Sequence, residues 1–408
     1  MAILEDEIFK GCDRALDFET ARTRILATAP SVRPTTLPLA QAHGHTLAAP
    51  VIAARDNPAA ALSAMDGYAV AHNDLKIAPL KIDGQTAAGD PAGPPLAPGT
   101  ARRIFTGGLL PVGADTILIQ EDAQVRDGQL HPEQIPETGA FIRPQGFDYR
   151  CGDILLDAGH VLSAQSLSFA ASANLADMVI AAPPKVALLS TGDELRGLGQ
   201  AVLPQDVVAS NGLALAALLG SQGARVEDLG TVRDDLDAIC AAIDQARDPA
   251  RGADLLITTG GASVGAFDLV QSALARLGGV PDFWQIMMRP GKPVFLWTLG
   301  QLTVLGLPGN PVSAFVCAKL LTVPWVRKSL GQSDVFDAQG PYTLGSSLPP
   351  NGPRRQFARA ALIDGRLVPA RSQDSSLLKA LNSASVLIDR PPHDPAKTEG
   401  EQVRGIPL

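Results

Sequence analysis

After Pro184 the chain alternates short apolar runs with amphipathic segments, and this alternation is what most restricts its fold. Segments 185–189, 224–231, 254–257 and 301–305 are expected to be strands. Segments 211–222 and 311–329 are expected to be helices, as are the stretches marked by Leu236, Ile239 and Ile243 and by Leu269, Val270, Ala273, Leu274 and Leu277. Apolar strands alternating with helices require a mostly parallel sheet covered on both faces, a doubly wound α/β unit. Such a sheet binds ligands beyond the carboxyl ends of its strands.

Three loops leave those strand ends: Ser190-Thr-Gly-Asp-Glu194, TTGGASVGAFD (258–268) and Gly306-Leu-Pro-Gly-Asn-Pro311. The second has the glycine spacing of a phosphate-binding P-loop, G-x-x-x-x-G-K-[ST], but Ala266 and Phe267 stand where the Lys and the Ser/Thr would be. Gly260, Gly261 and Ser263 still offer a ligand close approach to backbone N–H groups. In the third loop Asn310 suits a helix cap and Pro311 the first helical position, a start that favours anions. Asp193, Glu194, Asp234, Asp235 and Asp268 lie on or beside the same loops. Asp235 reads as a helix cap; Glu194, Asp234 and Asp268 suit a hard cation, with Mg²⁺ the natural choice. Positive charge comes from Arg289-Pro-Gly-Lys-Pro293, a stiff turn presenting Arg289 and Lys292 as an anion clamp.

The rest of the chain has a different grammar. Residues 1 to about 30 read as helix, with Phe18, Ala21, Ile25 and Leu26 at helical spacing. Segment 35–54 reads as short strands, and 79–146, dense in Gly and Pro, as a β-rich unit. Segment 151–183 reads as strand, helix (near 163–174) and strand, and 333–408 as a small β domain. Two further foci are SAMDGYA (63–69) and FTGG (105–108). A net charge of −8 argues against a general nucleic-acid binder. No apolar run reaches bilayer length, and the acidic N-terminus lacks a signal-peptide layout. Cys12, Cys151, Cys240 and Cys317 form no CxxC pair and fit reduced cytoplasmic thiols. The six histidines show no metal-binding spacing, and no G-x-S-x-G elbow is present.

Taken in order, SAMDGYAV (63–70), FTGG…P.GADTI..QED (105–122), IRPQGFD (142–148), LLSTGDEL (188–195), VRDD (232–235), TTGGASVGAFD, RPGKP (289–293) and GLPGNPVSA (306–314) resemble the molybdopterin molybdenumtransferase (molybdenum insertase) family, which includes the E domain of gephyrin. QDSS (373–376) fits that family's last domain.

The resemblance implies a multidomain α/β plus β architecture, usually homodimeric. Segments 1–50 and 150–183 would form a discontinuous N-terminal domain, 51–149 a β-rich insert, 184–332 the molybdopterin-binding α/β domain and 333–408 a C-terminal β domain. It implies Mg²⁺-dependent insertion of molybdate into adenylylated molybdopterin with release of AMP. The matched positions are Asp66, Thr106, Arg143 and Asp148 on the molybdate side, which in the implied dimer would face the α/β domain of a partner copy. On the nucleotide side are Glu194, Asp234 and Asp268, with Arg289, Lys292, Pro308, Pro311 and, more weakly, Ser375. An adenylyltransferase that supplies the substrate and recipient molybdoenzymes are the further partners implied. The sequence departs from the family pattern at 58–62, Phe147, Gln285, Ala262 and Ala266. The alternatives are a molybdopterin adenylyltransferase, which shares the α/β domain, and a non-catalytic scaffold.

Overall fold

The computed structural model describes residues 15–248, 250–260 and 269–408. The central unit is a six-stranded sheet. Its order is Arg225–Val232, Lys185–Thr191, Leu255–Thr259, Leu302–Leu307, Phe295–Leu299 and Val280–Phe283. The first four strands are parallel, and the last two join antiparallel. The alternation in the sequence explains the parallel part: Val186 and Leu188 point into one core, Ala187 and Leu189 into the other. Helices Leu236–Arg247 and Leu269–Arg276 cover the second face. Helix Asn211–Gly220 and the run beginning at Pro311 cover the first. The antiparallel pair was not foreseen; it sits between the third helix and the 302–307 strand and closes one edge of the sheet.

The 311–329 segment is helical throughout, but Pro311–Cys317 and Val323–Ser329 are joined by a π-turn, Ala318–Thr322. Pro324 has no N–H to give to the carbonyl four residues back, so a regular α-helix cannot run through it.

Segments on either side of the insert pair with one another. Pro34–Pro38 runs antiparallel to Asp177–Ala181, and Val51–Ile52 to Ile154–Leu156. Helix Ala164–Ser172 is capped by Ser163, whose Oγ accepts from the Ser166 N–H. Helix Phe18–Ala27 behaves differently from its neighbours in sequence. Capped by Asp17, it buries Phe18, Ala21 and Ile25 in the central core beside Trp325 and Phe357. Its Glu19 meets Arg355, which also holds Asp389 through two bonds of 2.8 and 2.6 Å.

Between these segments lies a second six-stranded sheet, ordered Thr116–Ile119, Gly67–Val70, Thr100–Ile104, Leu80–Thr86, Gln129–Pro132 and Ala123–Arg126. Its core is built on Tyr68, Val70, Leu80, Leu118 and Leu130. The third sheet is C-terminal and centres on Arg355–Ile363 and Val386–Arg390. Met288–Arg289 joins its edge, parallel to Arg355–Gln356, so the RPGKP turn stands where the central and C-terminal units meet. Among the described residues no helix is long and apolar enough to cross a membrane.

Candidate active site

The parallel strands end in a cleft of about 440 Å³. Its floor carries Ser190 and Thr191 from one strand end and Thr259 and Gly260 from the next. Glu194, Leu195, Val207 and Val208 form one wall; Pro293, Pro308, Gly309 and Pro311 form another. Thus the Ser190–Glu194 and Gly306–Pro311 loops converge here, together with Gly260 from the start of the TTGGASVGAFD loop.

Gly260 shows why glycine is required at this point. Its φ is +91°, and a Cβ there would lie 2.3 Å from the carbonyl oxygen of Thr191. The close approach packs two strand ends together, and a Cβ on Gly309 would lie 3.5 Å from Gly260 Cα. Gly261, Ser263 and Asp268 lie outside the described residues.

The acidic loops meet beside the cleft. The Gly192 N–H donates to the Val232 carbonyl at 3.2 Å, and the Asp234 N–H reaches Asp193 Oδ1 at 3.4 Å. Burial pushes the half-buried Asp234 carboxyl above its ordinary range, and the nearby Asp193 and Glu194 charges push it further. Asp235 is the helix cap expected, accepting from the Ala238 N–H at 2.8 Å. Among the described residues no three His, Cys, Asp or Glu side chains are grouped so as to hold a metal ion by themselves.

The Asn residues of the loops have roles other than capping. Asn310 sits at the N-cap position, yet its side chain makes no cap bond; Nδ2 instead donates to Ser375 Oγ at 2.9 Å. This joins the C-terminal unit to the cleft rim. Asn211 Nδ2 donates to the Gly309 carbonyl at 2.8 Å, and Ser210, at the N-cap position of helix Asn211–Gly220, makes no cap bond. Arg289 and Lys292 are exposed on their turn and are not among the cleft's lining residues, although Pro293 is. Gly291, at the centre of that turn, has φ +102° and packs on Cys317.

A second focus forms on the insert. Asp66 Oδ1 accepts from both the N–H and the Oγ1 of Thr106, at 2.7 and 2.8 Å. The Thr106 backbone N–H, followed by its hydroxyl, holds the Asp66 carboxyl below its ordinary range, with Arg103 adding to the effect. Arg143 lies on the two-residue strand paired with Leu62–Ser63, just before Asp66. Asp148 is held by Asn57, whose Nδ2 donates to Oδ2 at 3.1 Å. No residue of the insert lines the cleft.

What the sequence reading passed over is the hydroxyl floor. Ser190 and Thr259 stand in the sequence only as members of two loops, yet their hydroxyls face each other at 3.1 Å. The available signal is that two apolar strand runs each end on a pair of hydroxyl residues, Ser190-Thr191 and Thr258-Thr259.

Residues 16–174 match the MoeA N-terminal region (domain I and II), residues 187–328 the probable molybdopterin binding domain, and residues 341–408 the MoeA C-terminal region (domain IV). A molybdopterin molybdenumtransferase of Nostoc sp. is 36% identical over 296 residues, which are 70% of this chain and 67% of that protein. Molybdopterin molybdenumtransferase 2 of Mycobacterium tuberculosis is 33% identical over 373 residues, 88% of this chain and 91% of its own. The fold matches the crystal structure of a molybdopterin biosynthesis MoeA protein from Pyrococcus horikoshii with a TM-score of 0.85 and 26% identity, over 97% of this chain and 99% of that one. With a relative this similar along nine-tenths of its length, the chain belongs to the molybdopterin molybdenumtransferase family.

Proposed function

We propose that this chain inserts molybdate into adenylylated molybdopterin and releases AMP, the insertion step of molybdenum cofactor biosynthesis. The observation that carries the reading is the cleft at the strand ends, where Glu194, Gly260, Pro308 and Pro311 converge and Ser375 reaches the rim through Asn310. Family membership supplies the substrate class, since the relatives are named for that transfer. Neither the adenylyltransferase nor the scaffold alternative is favoured by these relatives.

In this reading the glycine-lined floor takes the phosphoanhydride, and Glu194, Asp234 and Asp268 orient the attacking oxygen. The carboxylate chemistry of Glu194 and Asp234 fits a hard divalent cation, and the raised Asp234 carboxyl marks negative charge gathered with Asp193 and Glu194. Mg²⁺ commonly takes one or two carboxylates together with substrate phosphates, so a complete protein cage is not needed. When bound it would neutralise charge on the leaving phosphate. Arg289 and Lys292 attract the anion from the adjoining turn. Asp66, ionised and fixed by Thr106, is assigned with Arg143 and Asp148 to the molybdate side.

The chain is read as a homodimer whose insert faces the cleft of its partner. Apolar residues stand exposed at both foci: Met65 and Phe147 beside the Asp66 group, Leu203 and Val207 beside the cleft. A contact between copies would cover both. The division at residues 50, 150, 183 and 332 is retained, supported by strand pairing across the insert. Cytoplasmic location is part of the same reading, supported by the free thiols of Cys151, Cys240 and Cys317.

The test is direct. Purified protein given adenylylated molybdopterin, molybdate and Mg²⁺ should release AMP in step with cofactor formation, and a chelator should stop it. Absence of AMP release while a known insertase works in parallel would overturn the reading. Replacing Asp268 with Asn should cost at least about 100-fold in rate if the site is catalytic, as positioned acid–base groups typically contribute that much.

A further inference from the structure

We propose that Thr191, with the Ser190–Thr259 hydroxyl pair, is a phosphate-binding element on the floor of the cleft. The inference deepens the reading of the cleft as the site of the phosphoanhydride and rests on it.

Thr191 is 3% exposed and lines the cleft, and its hydroxyl has no hydrogen-bond partner among the described residues. A buried hydroxyl left unpaired is costly, and native proteins seldom keep one without use. Here the cost has no structural return. The strand position would suit Val, which has the same shape and an equal preference for strands. The neighbouring backbone explains where the hydroxyl looks: a Cβ on Gly260 would lie 3.1 Å from Thr191 Oγ1, so this oxygen faces the start of the glycine loop.

Beside it, Ser190 Oγ and Thr259 Oγ1 are 3.1 Å apart. Two hydroxyls sharing one bond use one proton between them, so the second proton remains free to donate. The floor therefore holds two O–H donors not committed to any described residue, one from Thr191 and one from the pair. Among the described residues lining the cleft Glu194 is the charged one, and it is acidic. No described lining residue is basic, so on the floor itself an anionic ligand meets neutral donors, and hydroxyls aimed at phosphoryl oxygens are suited to that task.

The test uses Thr191→Val and Thr191→Ser in the full-length protein, with AMP as the probe. A hydroxyl that waits for the ligand predicts two effects of opposite sign for Thr191→Val. The free protein should be as heat-stable as wild type or more so, since an unsatisfied group has gone. Affinity for AMP, measured by calorimetry, should fall about tenfold or more, the usual consequence of losing a hydrogen bond to a charged group. Thr191→Ser should restore most of that affinity. An AMP affinity for Thr191→Val within about twofold of wild type would overturn the proposal. So would a clear fall in Tm for the ligand-free variant, because the hydroxyl would then have a structural partner. AMP release by wild type from adenylylated molybdopterin judges the reaction separately: if it fails while the variant-to-wild-type affinity ratio behaves as stated, the reaction assignment falls and the phosphate element stands.

Discussion

Asp66 and Asp234 are both aspartates on loops of the candidate site, and their surroundings push them in opposite directions. Two donors from Thr106 stabilise the ionised form of Asp66 and lower its pKa. Burial and the Asp193 and Glu194 charges do the reverse at Asp234. Separated acidities of this kind are how one site keeps a fixed carboxylate and a proton-exchanging one. The signs for stability follow. A lowered pKa contributes stability above the ordinary carboxylate range, lost as the pH falls through the folded value. A raised pKa contributes stability below the ordinary range, lost as the pH rises through the folded value. At pH 7 ionised Asp234 therefore opposes folding. In chelator-treated protein Asp234→Asn should raise Tm at pH 7, and the gain should vanish as the pH drops below the ordinary carboxylate range. The same variant should be slower in AMP release, so that stability and activity move apart, as they do where a site stores unfavourable charge. Thermal melts across pH, run beside the activity assay, check this; a lower Tm at pH 7 would contradict it.

At the scale of elements, the RPGKP turn shows what a motif can and cannot announce. Its proline and glycine content marked a stiff turn, but not that Met288–Arg289 extends the C-terminal sheet, nor that Gly291 packs on a helix buried in the central unit. Gly291→Ala would bring Cβ to 2.2 Å from Cys317 Sγ at a φ of +102°. The combined overpacking and backbone strain should cost on the order of 3 kcal/mol, read from the midpoint of urea unfolding. Adding Cys317→Ala should return part of that loss, because the two positions share one contact. The parallel strands and their helices were legible because each carries its own periodicity, as in Val186–Leu189 and Leu236–Ile243. The hairpin of Val280–Phe283 with Phe295–Leu299 was not, because Pro281 and the intervening RPGKP turn disguise it. Within the site, Glu194, Gly260, Pro308 and Pro311 were legible from loop chemistry and are found together on the cleft. The roles of Asn310 and Asn211 were not, since their partners, Ser375 and Gly309, lie 65 and 98 residues away.

For the whole molecule, the two foci pose a problem of reach. Asp66, Thr106 and Arg143 belong to the insert, and none of them touches the cleft that Glu194 lines. If both groups serve one reaction, as proposed, a second copy must bring its insert to the cleft. A two-fold arrangement then creates two equivalent sites, each built from both chains. That geometry makes a prediction no single-chain site shares. Asp66→Asn should disable the insert half of every site in its own dimer, and Glu194→Gln the cleft half. Each variant alone should lose nearly all AMP release. Mixed after gentle dissociation and reassociation, the two should form heterodimers in which one site draws both defects and the other draws neither. With random pairing, half the dimers are mixed and each has one intact site, so the mixture should recover about a quarter of the wild-type rate. Recovery should follow the kinetics of subunit exchange and disappear if exchange is blocked by cross-linking. If the mixture stays inactive while native mass spectrometry shows heterodimers, the insert and the cleft of the same chain work together. If the protein runs as a monomer at assay concentration yet releases AMP at full rate, the shared site is excluded outright.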